Sequence, residues 1–263
     1  MMFTLPKIIS HRGANRLAPE NTLAAFSKAK QCGFDWVELD VQLSRDKQPV
    51  IFHDKTLARI TGKSGCIADY NLSQLQATPA KHQLDTVIEN IDIPSLDEAL
   101  AQIYRDNMGC NIELKTANRT DWLKPDQYRY QGTELARITC KHLLPYLDKG
   151  MPIMLSSFCH HTLQIARQIL PNAIIGLLVQ MEDFRKMWPQ RKTTICNTFN
   201  ALQAFSFHLN KECLHDQQHI IELKKYFNYL CCYTVNDLDL AKILLKNGVD
   251  SLFSDNHKLI ELA

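Results

Sequence analysis

The sequence predicts a single (β/α)8 barrel, and three observations carry that expectation. At 263 residues the chain has the length at which α/β barrels occur as one domain. Eight short apolar, β-branched runs alternate with amphipathic stretches nearly from end to end. Several residues able to do chemistry fall at the C-terminal ends of those runs, the rim that carries active sites in this architecture. An open doubly wound sheet shares the alternation and is the alternative, because one sequence does not give strand order.

Strands are expected over Lys7–His11, Asp35–Val41, Cys110–Leu114, Ile153–Ser156, Ile174–Val179, Ala204–Phe207, Tyr229–Tyr233 and Ser251–Ser254. The clearest helix is expected over Thr22–Cys32, with Asn21 as N-cap, Leu23, Phe26 and Ala29 on one face, and Gly33 just past the end. SLDE at Ser95 reads as a capping box opening a second helix. A third is expected over Leu238–Asn247, after Asp237 and before Gly248. Between His53 and Ser95 the alternation breaks. That stretch is too long for an ordinary connection, so residues 54–94 are expected to form a small inserted lobe within a single domain spanning 1–263.

Composition narrows the function classes. Hydrophobic residues make up 45% and charged residues 22%, with a net charge of +2. So small a charge gives no reason to expect nucleic acid or an anionic membrane as partner, and any attraction for an anion must come from a local site. MMFTLPKIISHRG has no apolar run of the kind a secretory leader needs, and no stretch has the length of a membrane span. No stable membrane association is expected. The nine cysteines are odd in number and scattered, and Cys231–Cys232 are adjacent, unlike a secreted disulfide framework; the cytoplasm is the expected compartment.

The chemistry begins at WVELDVQLS. Side chains alternate along a strand, so Val37, Leu39 and Val41 share one face, and Glu38 and Asp40 the other. If the apolar face packs on the outer helices, both carboxylates enter the barrel, where they repel unless a cation compensates them. NIELK supplies Asn111, Glu113 and Lys115 on one face of the next expected barrel strand, bringing a third carboxylate. Three oxygen ligands with open positions suit Mg²⁺ or Ca²⁺. Zinc fits less well, since Cys159–His161 (CHH) is the nearest approach to a zinc-ligand set.

His11 ends the first strand and His53 ends the run PVIFH. Imidazoles exchange protons near neutral pH. Arg12 can fork onto phosphate oxygens, and Lys115 adds a point charge. Together these groups suit the cleavage of a phosphoester bond.

HRGANRLAPENTLAAF, ELDVQLSRDKQPVIFHD, NIELK, LSSF, HLN and YTVN occur in the order seen in the glycerophosphodiester phosphodiesterase family, and the chain is most similar to its cytoplasmic bacterial form. The strong motifs cover residues 10–62, with weaker echoes to residue 255. The resemblance implies a (β/α)8 barrel with an insertion after the second strand, His11 and His53 as general acid and base, and a metal held by Glu38, Asp40 and Glu113. It implies phosphate contacts from Arg12 and Lys115, and bracing of the loop over the site by Glu20 and Asn21 in PENT. The implied reaction hydrolyses small glycerophosphodiesters to sn-glycerol 3-phosphate and an alcohol. Tyr233 stands where many members have Trp, keeping an aromatic wall, and Ser254–Asp255 replaces the commoner Thr–Asp.

Other residues invite plainer readings. His208 and Asn210, in HLN, either line the pocket or cap a loop. Ser156 and Ser157 lack the flanking elbow of a nucleophile. Trp122 and Trp188 read as loop anchors. Two other functions are alternatives: a lysophospholipase D or phospholipase C, which needs an approach for an acyl chain, and a non-catalytic binding protein, which predicts loss of a histidine or carboxylate that this chain retains.

Overall fold

A computed structural model describes residues 4–81, 91–116, 125–180, 184, 192–214 and 217–263. Eight parallel strands close on themselves: β1 (Ile8–Ser10), β2 (Trp36–Leu43), β4 (Gly109–Leu114), β5 (Ile153–Ser157), β6 (Ile174–Leu178), β7 (Ser206–Asn210), β8 (Leu230–Tyr233) and β9 (Ser251–Ser254). Each pairs with the next, and β1 pairs with both β9 and β2, which completes the barrel and excludes the open sheet. A short strand, β3 (Pro49–Ile51), returns antiparallel along the end of β2.

Helices cover the outside: α1 (Leu23–Gln31), α4 (Leu96–Arg105), α5 (Pro125–Leu147), α6 (His160–Ile169), α7 (Lys192–Ala201), α8 (Gln217–Lys224) and α9 (Leu238–Lys246). A 3₁₀ helix over His257–Leu262 follows the last strand in place of the α-helix that the repeating pattern leads one to expect. None of the helices is long and apolar enough to cross a membrane, among the described residues. All nine cysteines are free thiols. Trp122 and Trp188 lie outside the described residues.

The alternation on β2 determines where the charges go. Val37, Leu39 and Val41 join the large apolar cluster between barrel and helices, together with Ile112 and Leu114 of β4. The opposite face fills the barrel. Trp36 packs with Leu5, Ile9, Met154, Cys231 and Phe253 as an apolar plug toward the strands' N-terminal ends. Gly109 is obligatory there, since a Cβ would come within 2.4 Å of the Trp36 ring. Glu38 and Asp40 follow toward the other end of the same face.

Among the described residues of 54–94 lie two short α-helices, α2 (Ala58–Thr61) and α3 (Leu72–Gln76). Leu57, Ile60, Ile67 and Leu75 build an apolar cluster of their own with Val50 and Phe52. No barrel strand lies in this stretch, among the described residues.

Two expectations need correction. The strand expected over Ala204–Phe207 runs Ser206–Asn210, so HLN lies within it rather than after it. Its inward face is polar (Ser206, His208), which hides it from a search for apolar runs. Thr22, not Asn21, caps α1: its side chain accepts from the Ala25 amide. Asn21 adopts a left-handed φ of 58° and turns its amide to Asp40 instead.

The Ser95 capping box is present. Ser95 Oγ accepts from the Glu98 amide, while the Ser95 amide and hydroxyl donate to Glu98 Oε2 at 2.8 and 2.6 Å. Burial opposes ionisation of Glu98, but these bonds and one from Gln76 outweigh it and hold the carboxyl below its ordinary value. Ser95→Ala is expected to cost about 1 kcal/mol of stability, read from the urea midpoint. A depressed carboxylate stabilises above its unfolded pKa and ceases to do so as acid protonates it. The deficit should therefore be full above about pH 4.5 and shrink below it.

Candidate active site

The parallel register of β2 and β4 sets Glu38 beside Asn111 and Asp40 beside Glu113. One oxygen from each of Glu38, Asp40 and Glu113 lies within 4.8 Å of the other two. Glu38 and Asp40 are 3% and 1% exposed, so solvent does little to screen them. Two like charges at that separation repel by about 3 kcal/mol at an effective dielectric constant of about 20.

Basic groups offset part of this. Lys115 Nζ lies 2.9 Å from Glu113 Oε1 and 3.2 Å from Asp40 Oδ1. Arg12 Nε lies 3.3 Å from Asp40 Oδ2, its Nη1 donates to Glu20 Oε1 at 2.8 Å, and its main-chain amide donates to Glu38 Oε2. Asn21 donates to Asp40 Oδ2 at 2.8 Å and accepts from the Asp40 amide. The two central carboxyls move apart in acidity. Burial and the charge of Asp40 push Glu38 well above its ordinary range. Asp40 is buried as deeply, but Lys115 and Arg12 overcome that burial and hold it below its ordinary range.

The residues fit a divalent cation. Glu38 Oε1 and Asn111 Oδ1 are buried acceptors that receive no hydrogen bond, and Asp40 Oδ1 has the Lys115 ion pair but no hydrogen bond; buried acceptors are normally satisfied. Their hard oxygen chemistry matches Mg²⁺ or Ca²⁺.

Both histidines are braced by carboxylates. His11 Nδ1 lies 2.7 Å from Asp255 Oδ1, and Asn236 donates to Asp255 Oδ2 at 2.8 Å. His11 Nε2 is 3.8 Å from Glu38 Oε2. Burial, then the Arg12 charge, lowers the His11 pKa against the pull of Asp255. His53 Nδ1 lies 2.7 Å from Asp54 Oδ1. Arg59 grips Asp54 through Nε and Nη2 at 2.6 and 3.0 Å, and Glu20 through Nη1 and Nη2 at 2.7 and 2.8 Å. His53 does not end a barrel strand. It follows β3, and Gln42 at the end of β2 fixes the turn by donating to the carbonyls of Phe52 and Asp54.

His11, Arg12 and Glu20 open onto a cleft of about 620 Å³ that Asn15, Asn236 and Asp255 also line. His208 does not reach it. Its ring is fully buried in the barrel, Nε2 is 2.7 Å from Ser206 Oγ, and burial drives its pKa down to about 3. It occupies the space left by Gly176, whose Cβ would come within 2.5 Å of the ring. Asn210 caps the 3₁₀ turn after β7 by accepting from the Glu212 amide. Tyr233, at the end of β8, donates to the Val179 carbonyl at 2.9 Å and meets Phe158 edge-on. Ser156 accepts from Asn111, and Ser157 donates to the Leu114 carbonyl; both are buried.

The sequence assigns no role to Asp54, Arg59 or Asn236, and notes Asp255 only beside Ser254 as part of a departure from the family pattern. The signal for two of them is present: Asp54 adjoins His53, and Asp255 follows the last barrel strand, on the rim where His11 sits. Arg59 gives none, because its partners are distant in the chain.

Residues 11–259 match the glycerophosphoryl diester phosphodiesterase family. A glycerophosphodiester phosphodiesterase of Bacillus altitudinis is 30% identical over 262 residues, covering 95% of each chain. One from Caldanaerobacter subterraneus is 28% identical over 95% of this chain and 93% of its own. Among solved structures, a phosphodiesterase of Oleispira antarctica in complex with the product sn-glycerol-3-phosphate superimposes with a TM-score of 0.83 at 31% identity, covering 98% of this chain and 96% of that one. The carboxylate cluster, the braced histidines and these matches lead to one conclusion: the chain belongs to the glycerophosphoryl diester phosphodiesterase family, whose members are phosphoric diester hydrolases.

Proposed function

We propose that the protein hydrolyses glycerophosphodiesters, such as glycerophosphocholine or glycerophosphoethanolamine, to sn-glycerol 3-phosphate and the free alcohol. The observation that carries this reading is the trio Glu38, Asp40 and Glu113 within 4.8 Å, with His11 beside it and a second carboxylate-braced histidine, His53, at the end of β3. The product bound by the Oleispira antarctica relative supports the glycerol 3-phosphate end of the reaction.

In this mechanism Glu38, Asp40 and Glu113 hold Mg²⁺ or Ca²⁺, which supplies Lewis-acid stabilisation of the phosphoryl oxygens when bound. Arg12 and Lys115 contact the phosphate, and their pairing with the cluster holds them at the same rim. Asp255 and Asp54 engage the Nδ1 atoms of His11 and His53, which leaves Nε2 of each ring for proton exchange. One imidazole takes the proton of the attacking oxygen and the other protonates the leaving alkoxide, so the proton lost at one end is returned at the other. Glu20 and Asn21 act by positioning, Glu20 through Arg12 and Arg59, Asn21 through Asp40. The cytoplasm is the proposed compartment, supported by nine thiols with no disulfide.

Thorough chelation should abolish release of glycerol 3-phosphate from glycerophosphocholine, and Mg²⁺ or Ca²⁺ should restore it. Glu38→Gln should weaken binding of the cation in calorimetry as well as activity. His11→Ala and His53→Ala should each lose roughly 10²- to 10⁴-fold in kcat. Undiminished turnover after chelation, or in either histidine variant, contradicts the mechanism.

The braces allow a finer test. Asp255→Asn and Asp54→Asn keep the shape but remove the charge that stabilises each imidazolium. They should lower kcat by roughly tenfold or more, with a smaller change in KM. Unchanged kcat in both would make the carboxylates structural.

A further inference from the structure

The outer cleft has a charge pattern that phosphate chemistry does not use up. Among the residues lining it, Arg12, Arg16, Arg59 and Lys81 face only Glu20 and Asp255, an excess of two positive charges. The cations fall into two groups. Arg12 and Arg59 are tied to Glu20, and Arg59 also to Asp54. Arg16 and Lys81 are exposed and have no ion-pair partner among the described residues.

Their place in the fold sets them apart from the reacting groups. Arg16 sits on the loop between β1 and α1, and Lys81 in the inserted lobe, where its main-chain amide donates to the Ile60 carbonyl. With Ile60 and Pro19 they line the same cleft as Arg12 and Glu20, and both are solvent-exposed. Arg12, a phosphate contact in the proposed mechanism, lines the same cleft as Arg16 and Lys81, so one arm of a diester held at Arg12 faces this lining. A cationic head group meets two cations there that have no ion-pair partner among the described residues, whereas an anionic one meets two donors.

We infer that Arg16 and Lys81 form a head-group subsite selecting glycerophosphodiesters whose alcohol carries an anionic group, a carboxylate or a second phosphate. The inference rests on the hydrolytic reading above and adds specificity to it. Both side chains are solvent-exposed, so each contact has the modest strength of a surface ion pair, and the two together favour the anionic substrate roughly threefold to tenfold.

Glycerophosphoserine and glycerophosphoethanolamine form a matched pair of probes, because both carry the ammonium and only the first carries a carboxylate. The test measures kcat/KM for both, in the wild-type protein and in Arg16→Gln/Lys81→Gln. Glycerophosphoserine should be favoured roughly threefold to tenfold by the wild type, and the ratio should fall toward one in the double variant. Raising ionic strength should lower the wild-type ratio as well, since exposed charges are screened. A wild-type ratio of one or below, or a ratio that the double substitution leaves unchanged, overturns the subsite while leaving the hydrolase intact. Failure to cleave either diester overturns the hydrolytic reading itself.

Discussion

The structure of the site depends on one electrostatic constraint: Glu38, Asp40 and Glu113 are held closer than free carboxylates would stay. The barrel imposes this, because the pleat of β2 and its register with β4 leave the three side chains nowhere else to point. The surroundings are arranged to make it tolerable. Lys115 and Arg12 lower the cost at Asp40, whereas Glu38, with less help, remains reluctant to ionise. Buried acceptors without donors beside it point to a hard cation as the remaining compensation.

From that centre a chain of ion pairs and hydrogen bonds runs outward. Asp40 meets Arg12, Arg12 meets Glu20, Glu20 meets Arg59, Arg59 meets Asp54, and Asp54 meets His53. Glu20 and Asp54 are both held below their ordinary carboxylate range: burial opposes this, but the bonds to Arg59 and to His53 outweigh it. Each carboxylate and guanidinium in the chain therefore keeps its charge because a neighbour keeps the opposite one. Such networks respond as units, and removal of one member leaves an uncompensated charge on the next.

What the sequence made legible follows from the range of its signals. Period-two alternation is local, so the split of Val37, Leu39 and Val41 from Glu38 and Asp40 is readable from eight residues, and with it the face on which a cation would sit. The barrel follows from eight repetitions of a local pattern. Partners brought together from distant parts of the chain leave no such trace. Asp255 reaches His11 across 244 positions, and Arg59 reaches Glu20 across 39. Asn21 shows the opposite failure. Its residue type fits a helix cap so well that its position one residue early, with Thr22 doing the capping, conceals its role at Asp40. His208 misled for a related reason: polar residues inside a barrel strand look like loop residues until a facing glycine shows the space they fill.

The two histidines also differ in what holds them. His11 is carried by the barrel, with Asp255 following β9 and Asn236 following β8. His53 depends on the segment that follows β3, the lobe proposed over residues 54–94. Its strand, β3, lies on β2 through three residue pairs, and Val50 and Phe52 are anchored in the apolar cluster of Leu57, Ile60, Ile67 and Leu75. Arg59 lies in the same short helix as Ile60, so packing of the lobe core and bracing of Asp54 are set by consecutive residues. The carboxylate cluster needs only the barrel, but the second imidazole needs the lobe folded against it. Local opening of so small a cluster costs less than opening the barrel core. The lobe is therefore the element through which the pairing of the two histidines can be disrupted while the carboxylate cluster stays intact.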